Sequence, residues 1–372
     1  MNSPVPPSPT VRTIVRWLPL AFGLLALSAA KHIALPDRPF GKALSRDEPE
    51  SVHSARAREP GRGRTAKAPW HIPWTGWKDI FWRTYRQIGE DRLLAVAAGV
   101  VFYGLLALFP AVTALVSFYG LFADWSTIAD NLAAMAIIMP SDAIEIVRDQ
   151  VARVLSKGEA TLSLSFAFGL AFALWSANAG MKAIIDALNV VYEETEKRGL
   201  IRFNLVSLAF TFGAILVALL SLAFVVLFPL VLARVGLGPL TEAIIGVVRW
   251  PALLVLIILG LAIIYRYGPS RRIARWQWIS IGSLLACVLW MLGSAVFSWY
   301  LASFANYDAT YGALGAVIGM MMWMWLSVIV ILAGAELNSE IEHQTAEDST
   351  VGLDKPLGAR GATMADTVGD AQ

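Results

Sequence analysis

The chain has 372 residues, of which 57% are hydrophobic and 16% charged, with a formal net charge of +2. A soluble domain carries roughly 25% charged residues, so this chain is short of solubilising side chains. Its apolar residues lie in long runs, which excludes an ordinary soluble enzyme, a fibrous protein and a disordered chain.

The chain opens with an apolar stretch, Trp17–Ala30, that follows Arg12 and Arg16 and ends on Ser28, Ala29 and Ala30. Residues 1–30 therefore read as a hydrophobic anchor or a signal-like segment. Residues 31–76 form a basic linker. Its Pro-, Arg-, Ala- and Glu-rich part, 31–69, predicts disorder.

Six charge-lean stretches follow. There are 31 uncharged residues between Arg92 and Asp124, 22 between Glu159 and Lys182, and 31 between Arg202 and Arg234. Only Arg249 interrupts the stretch from Glu242 to Arg266. A further 32 lie between Arg275 and Asp308, and 27 between Asp308 and Glu336. A helix needs roughly 20 apolar residues to cross about 30 Å of hydrocarbon. Backbone amides in lipid must be satisfied within their own segment, so each stretch predicts a helix. A membrane barrel would show strands of about 10 alternating residues, and these runs do not alternate. The fold class is all-α, a polytopic transmembrane bundle of six core helices within 77–343. The polar, acidic, Gly-containing tail 344–372 predicts disorder.

The loop 126–157 is more than a connector. Ile144, Val147, Val151, Val154 and Leu155 recur at three- and four-residue spacing, with Asp142, Glu145, Arg148, Asp149 and Arg153 between them. This predicts an amphipathic helix on the outer face.

Loop charges set the orientation. Segment 31–92 holds 13 Lys+Arg against 8 Asp+Glu, and loops 182–202 and 266–275 hold four basic residues each. Loop 124–159 holds three, the loop near 234–242 only Arg234, and the loop after Leu301 none. This alternation predicts that 31–92 and the C-terminus are cytoplasmic. It also disfavours cleavage after Ala30, which would leave a basic segment outside.

Polar groups within lipid are costly, so they mark candidate sites. The second stretch holds Asn178, Lys182, Asp186 and Asn189, and the sixth ends on Glu336, Asn338 and Glu340. Lys182 and Asp186 are four apart and can pair on one helix face. Both helices would run inward, so these residues could form a polar cluster at the inner surface or simply cap helix ends there. Arg249, at the outer end of the fourth stretch, suits snorkelling to phosphates. Pro110 and Pro229 should kink or end their helices. Gly312, Gly315 and Gly319 open the sixth stretch and allow close helix approach. Trp276, Trp278, Trp299 and Tyr300 suit the two interfacial belts.

Signs of catalysis are sparse. The chain has no phosphate-cradling glycine loop with Lys, no HExxH and no GxSxG. Its one cysteine, Cys287, lies in an apolar run, and no two of His32, His53, His71 and His343 have metal-ligand spacing. No cofactor or metal is expected. The basic stretch Arg56, Arg58, Arg62, Arg64 and Lys67 lacks aromatic interleaving, so a tether near anionic lipid explains it better than nucleic acid does.

Three blocks, Asp91–Pro110 (DRLLAVAAGVVFYGLLALFP), Trp175–Asn189 (WSANAGMKAIIDALN) and Tyr311–Glu340, together resemble the YihY/BrkB family of bacterial inner-membrane proteins. The resemblance spans about 77–343 and implies a six-helix core in the bacterial inner membrane with both ends in the cytoplasm. Members of the family have carried a ribonuclease BN label, widely regarded as a misassignment, and a virulence or serum-resistance label. The sequence lacks the His/Asp metal cluster that nuclease chemistry requires. Three functional readings follow. The first is non-enzymatic, transporter-like handling of a lipid or other amphipathic envelope component, with membrane lipids as partners. The second is a scaffolding membrane protein without a transport pathway, and the third, least supported, is a membrane-bound hydrolase. Oligomeric state is not legible.

Overall fold

Long uninterrupted apolar runs leave the backbone no partner but itself, and the chain responds with helices throughout. The structure is a computed structural model, and it describes residues 50–122, 159–222, 239–304 and 313–372. The chain divides into two compact units, Met1–Lys42 and Ala43–Gln372, and every described residue lies in the second. The N-terminal segment 1–30, the amphipathic pattern in 126–157 and Pro229 all lie outside the described residues.

Nine helices are described: α1 Glu50–Arg56, α2 Trp74–Glu90, α3 Leu93–Phe122, α4 Glu159–Val191, α5 Leu200–Leu222, α6 Pro239–Tyr267, α7 Ser280–Phe304, α8 Ala313–Glu342 and α9 Thr363–Asp366. Short 3-10 turns cover Pro69–His71 and Trp276–Trp278. The only β-type contact among the described residues is an isolated antiparallel bridge between Ala274 and Thr350. Among the described residues, four segments are long and apolar enough to cross a membrane: Ala167–Val191, Leu200–Ser221, Trp276–Tyr300 and Val317–Glu342. Two shorter apolar helical segments, Leu93–Ala107 and Pro251–Tyr267, accompany them. The chain is thus a helical membrane bundle. The most extensive helix pair is α3 with α4, followed by α7 with α8.

Among the described residues, the linker from Glu50, the loops 192–199 and 268–279 and the tail meet at one end of the bundle, here the capped end. The backbone N–H of Lys197 donates to Ser270 Oγ at 2.9 Å, and Thr363 N–H donates to Glu194 Oε1 at 2.7 Å. Gln277 reaches the Lys67 carbonyl at 2.8 Å, and Arg275 N–H reaches the Ser349 carbonyl at 2.9 Å. Helices α3, α5 and α7 start at this end, and α4, α6 and α8 finish there. Two hydrophobic clusters form its core. One gathers Leu93, Leu188, Tyr192, Tyr265, Ile279, Leu332 and Met364, and the other Ile72, Ile80, Trp278, Leu337 and Ile341.

Local chemistry explains the joints. Helix α4 ends in a Schellman arrangement: Glu193 takes φ +50°, its N–H bonds the Val190 carbonyl, and Glu194 N–H bonds the Asn189 carbonyl at 2.7 Å. Arg92, at φ +51°, makes the tight turn from α2 into α3. Helices α7 and α8 touch backbone to backbone at Gly282 and Gly334, where even a methyl group would collide with the opposing carbonyl.

Of the two outcomes expected at Pro110, a kink or a helix end, the second does not occur, since α3 runs through it to Phe122. Two expectations differ from the structure. The tail 344–372 is packed rather than disordered: Gln344, Thr345, Ser349, Thr350, Met364 and Val368 are buried. The linker from Glu50 onward behaves the same way, with Arg64, Ala66 and Ala68 buried. The physical reason is long-range pairing. Arg64 donates to the carbonyls of Gln344 and Gly369, and Ala346 N–H donates back to the Arg64 carbonyl at 2.7 Å. A polar segment can be buried when a distant segment satisfies its groups, and composition alone does not reveal that.

Candidate functional site

Among the described residues, no hydrogen bond joins the polar residues singled out on α4 to those on α8. Asn178 accepts a long hydrogen bond from Thr211 of α5 at 3.5 Å. Asn189 locks the α4 end to the next loop: its Oδ1 accepts Ser270 N–H at 2.7 Å, and its Nδ2 donates to Glu196 at 3.2 Å. Asn338 Oδ1 accepts Gly282 N–H at 2.8 Å, tying α8 to the start of α7. Glu336 is fully buried, accepts from Ser339 Oγ at 3.4 Å, and leaves Oε2 without a hydrogen bond in the chain. No ion pair joins Lys182 to Asp186. The Lys182 ammonium lies 5.9 Å from the Phe203 ring on α5 instead.

Ion pairs dominate the capped end. Arg271 and Glu342 form a bidentate pair at 2.8 and 2.9 Å, with both side chains at 0% exposure. Glu342 also accepts Ser349 Oγ, and the Arg271 guanidinium stacks 4.0 Å over Tyr192. Arg83 of α2 pairs with Glu340 of α8 and donates to Gln344 Oε1 at 2.7 Å. Arg360 is spent on four tail carbonyls, those of Lys355, Glu347, Ala365 and Ala346. Burial works against ionisation of Glu196, yet the side-chain and backbone hydrogen bonds from Arg198 hold it below the usual carboxylate range. Asp91, in the α2–α3 turn, is the opposite case. Burial, then the carboxylates of Glu193, Glu90 and Glu340, push it up to about 8.

A cavity of about 940 Å³ runs between α5 and α6. Its α5 wall is Val206, Ala209, Phe210, Gly213, Ala214, Val217 and Ala218, a three- and four-residue repeat that puts small side chains on one face. Its α6 wall is Ile257, Gly260, Leu261, Ile263, Ile264 and Tyr267. Gly213 and Gly260 have nothing within 4 Å of where a Cβ would stand, so the two helices are held apart here. At the capped end the walls give way to Lys197, Arg198, Arg202, Arg266, Arg271 and Arg272, with Gly361 of the tail beside them. The groove is amphipathic: oily along the span, cationic at one mouth. Small residues recurring on α5 and a basic cluster at either side of it were the available sequence signals. Among the described residues, no set of three or more His, Cys, Asp or Glu side chains converges as a metal-binding group.

A family model described as Virulence factor BrkB matches residues 84–356, well over half of the chain. The chain belongs to the BrkB family. The BrkB match starts within α2 and stops in the tail, so it takes in Asp91, the groove walls and the Arg271–Glu342 pair. Among relatives, a protein of Bacillus subtilis (strain 168) described as ribonuclease-like, YfkH, is 29% identical over 270 residues, covering 70% of this chain and 93% of the relative. A UPF0761 membrane protein of Haemophilus influenzae (strain 86-028NP) is 24% identical over 267 residues, covering 71% and 94%. Another, of Neisseria meningitidis serogroup B, is 25% identical over 290 residues, covering 73% and 66%. These similarities make the chain a multi-pass BrkB/UPF0761 membrane protein. No solved structure matches it.

Proposed function

We propose that this BrkB-family chain is a non-enzymatic protein of the bacterial inner membrane that handles a lipid or other amphipathic envelope component. One observation carries this reading: the α5–α6 groove, apolar along the span and cationic at the capped end. Such a groove offers an acyl chain a surface and its head group a stop. The capped end, which holds the linker and the tail, faces the cytoplasm, in keeping with the loop charges. The ribonuclease-like name belongs to the YfkH relative.

Reconstitution tests the reading. Proteoliposomes of the wild type should speed movement of labelled lipid between leaflets, and Gly213→Leu with Gly260→Leu, which fills the groove, should abolish the gain. Absence of lipid movement for every lipid class would leave the scaffolding reading, which the densely paired capped end supports. A reporter fused after Arg198 that scores periplasmic would overturn the orientation.

A further inference from the structure

We infer that the cationic mouth of the α5–α6 groove is a receptor for the phosphate of an anionic glycerophospholipid, with Arg266 as its central ligand. The inference rests on the lipid-handling reading above and names the lipid class.

Arg266 sits in the last turn of α6 and lines the groove. It is only 9% exposed, yet Nε and Nη1 have no hydrogen-bond partner in the chain. A buried guanidinium with unused donors is costly unless something supplies an acceptor. Its flat face is already occupied: the carbon centre lies 4.2 Å from the Trp276 ring and 5.3 Å from the Tyr267 ring. Stacking holds the plane and leaves in-plane N–H donors unpaired, and a phosphate can be gripped bidentately through Nη2 together with Nε or Nη1.

The surroundings select an anion. Among the described residues, six cations line the mouth and no Asp or Glu does. Three of the six are matched from outside the lining: Lys197 by Glu194, Arg198 by Glu196 and Arg271 by Glu342. Six less three leaves a positive excess of three, carried by Arg202, Arg266 and Arg272. Arg202 makes no ion pair among the described residues, and Arg272 Nη1 has no hydrogen bond.

The walls select a lipid over free phosphate. The α5 wall runs from Val206 to Ala218, about 18 Å at 1.5 Å per residue. That exceeds half of a hydrocarbon core about 30 Å thick, so one acyl chain of the near leaflet lies along it. A zwitterionic head would bring its own cation against Arg202 and Arg272, so the site favours phosphatidylglycerol over phosphatidylcholine.

Native mass spectrometry of the full-length protein in detergent decides the matter. The probes are phosphatidylglycerol, phosphatidylcholine and inorganic phosphate. Wild type should retain phosphatidylglycerol at least about tenfold better than phosphatidylcholine, and Arg266→Gln should erase that preference. Gly260→Leu keeps Arg266 but fills the wall, and should weaken retention of both lipids. It serves as the deciding variant, with Arg202→Gln, should Arg266→Gln elute aggregated. Equal retention of the two lipids by the wild type, or an unchanged preference in every folded variant, overturns the inference. So does inorganic phosphate displacing the lipid while Gly260→Leu has no effect, since the site would then be one for the free ion. The two readings fail separately. Binding that passes while lipid movement is absent sinks only the lipid-handling function. Movement that is equal for both lipids, with no binding preference, sinks only the anionic receptor.

Discussion

The capped end and the α5–α6 groove are built from the same residue types and reach opposite solutions. Away from the unmatched cations of the groove mouth, the capped end spends its buried arginines on partners. Arg271 is spent on Glu342, Arg83 on Glu340 and Arg360 on four carbonyls, and the segments that supply them are far apart in the chain. In the groove, Arg266 is also buried, at 9% exposure, and keeps two donors idle. Glycines divide in the same way. Gly282 and Gly334 are crowded by opposing backbone, whereas Gly213 and Gly260 border empty space. Commitment marks the part that holds the bundle together, and idle groups beside open space mark the part that meets something else.

The sharpest way to break this contrast is to remove one member of a spent pair. Arg271→Ala leaves Glu342 charged with no exposure to water. Stripping one partner from a buried pair costs about 3–5 kcal/mol. The expected result is a large loss of folded protein on size-exclusion chromatography or a much lower thermal midpoint in detergent. The double change Arg271→Met with Glu342→Leu should cost far less than either single loss. Equal effects would show that the pair is not the relevant unit.

Next in size is Gly282→Ala. Its new methyl would overlap the Gly334 carbonyl and the Asn338 side chain, and the neighbour is backbone, which cannot step aside cheaply. Overpacking of this kind costs about 1–3 kcal/mol, read as a fall in melting temperature. An unchanged melting temperature would mean that α7 and α8 can slide apart, and that the capped end is looser than its ion pairs suggest.

Asp91 sharpens the comparison through pH. In the folded chain its carboxyl titrates near 8, against an ordinary value of 3.8, so between those limits the folded state holds a proton that the unfolded chain has lost. The stabilisation is complete below the ordinary value and is lost as pH rises through the folded one. Thermal stability should therefore fall from about pH 4 toward pH 8. Asp91→Asn, which cannot ionise, should flatten that slope. A wild-type melting curve that is level across this range would show that Asp91 stays solvated.

What the sequence showed follows the same division. The apolar runs were legible because lipid leaves the backbone one solution, and the resulting helices appear at α3 to α8. The gathering of basic segments at one end was legible in the loop charges. The packed tail was not: Val368 and Arg360 find their partners across folded loops, and a polar stretch reads as solvated until those partners are in place. Helix ends that carry Asn189 and Asn338 were visible as polar residues, but their hydrogen bonds to Ser270 N–H and Gly282 N–H depend on which loop lies opposite. The groove was hidden for a related reason. An unfilled space between two helices is a property of their separation, and Ala209, Gly213 and Ala218 would suit close packing equally well.

The smallest effect is the most discriminating. Gly260→Ala adds a methyl that meets nothing within 4 Å, so no collision opposes it. Replacing a helix glycine with alanine favours the helix by up to about 1 kcal/mol. The melting temperature should hold or rise slightly, in contrast to the fall at Gly282. Lipid retention should drop modestly, because the methyl narrows the acyl path without touching Arg266. A stabilised protein that binds less well would separate the groove from the architecture, since a position kept open for packing would lose stability when filled. A destabilised protein would instead mean that α5 and α6 close on each other in the membrane, and that the space between them is spent as fully as the charges at the capped end.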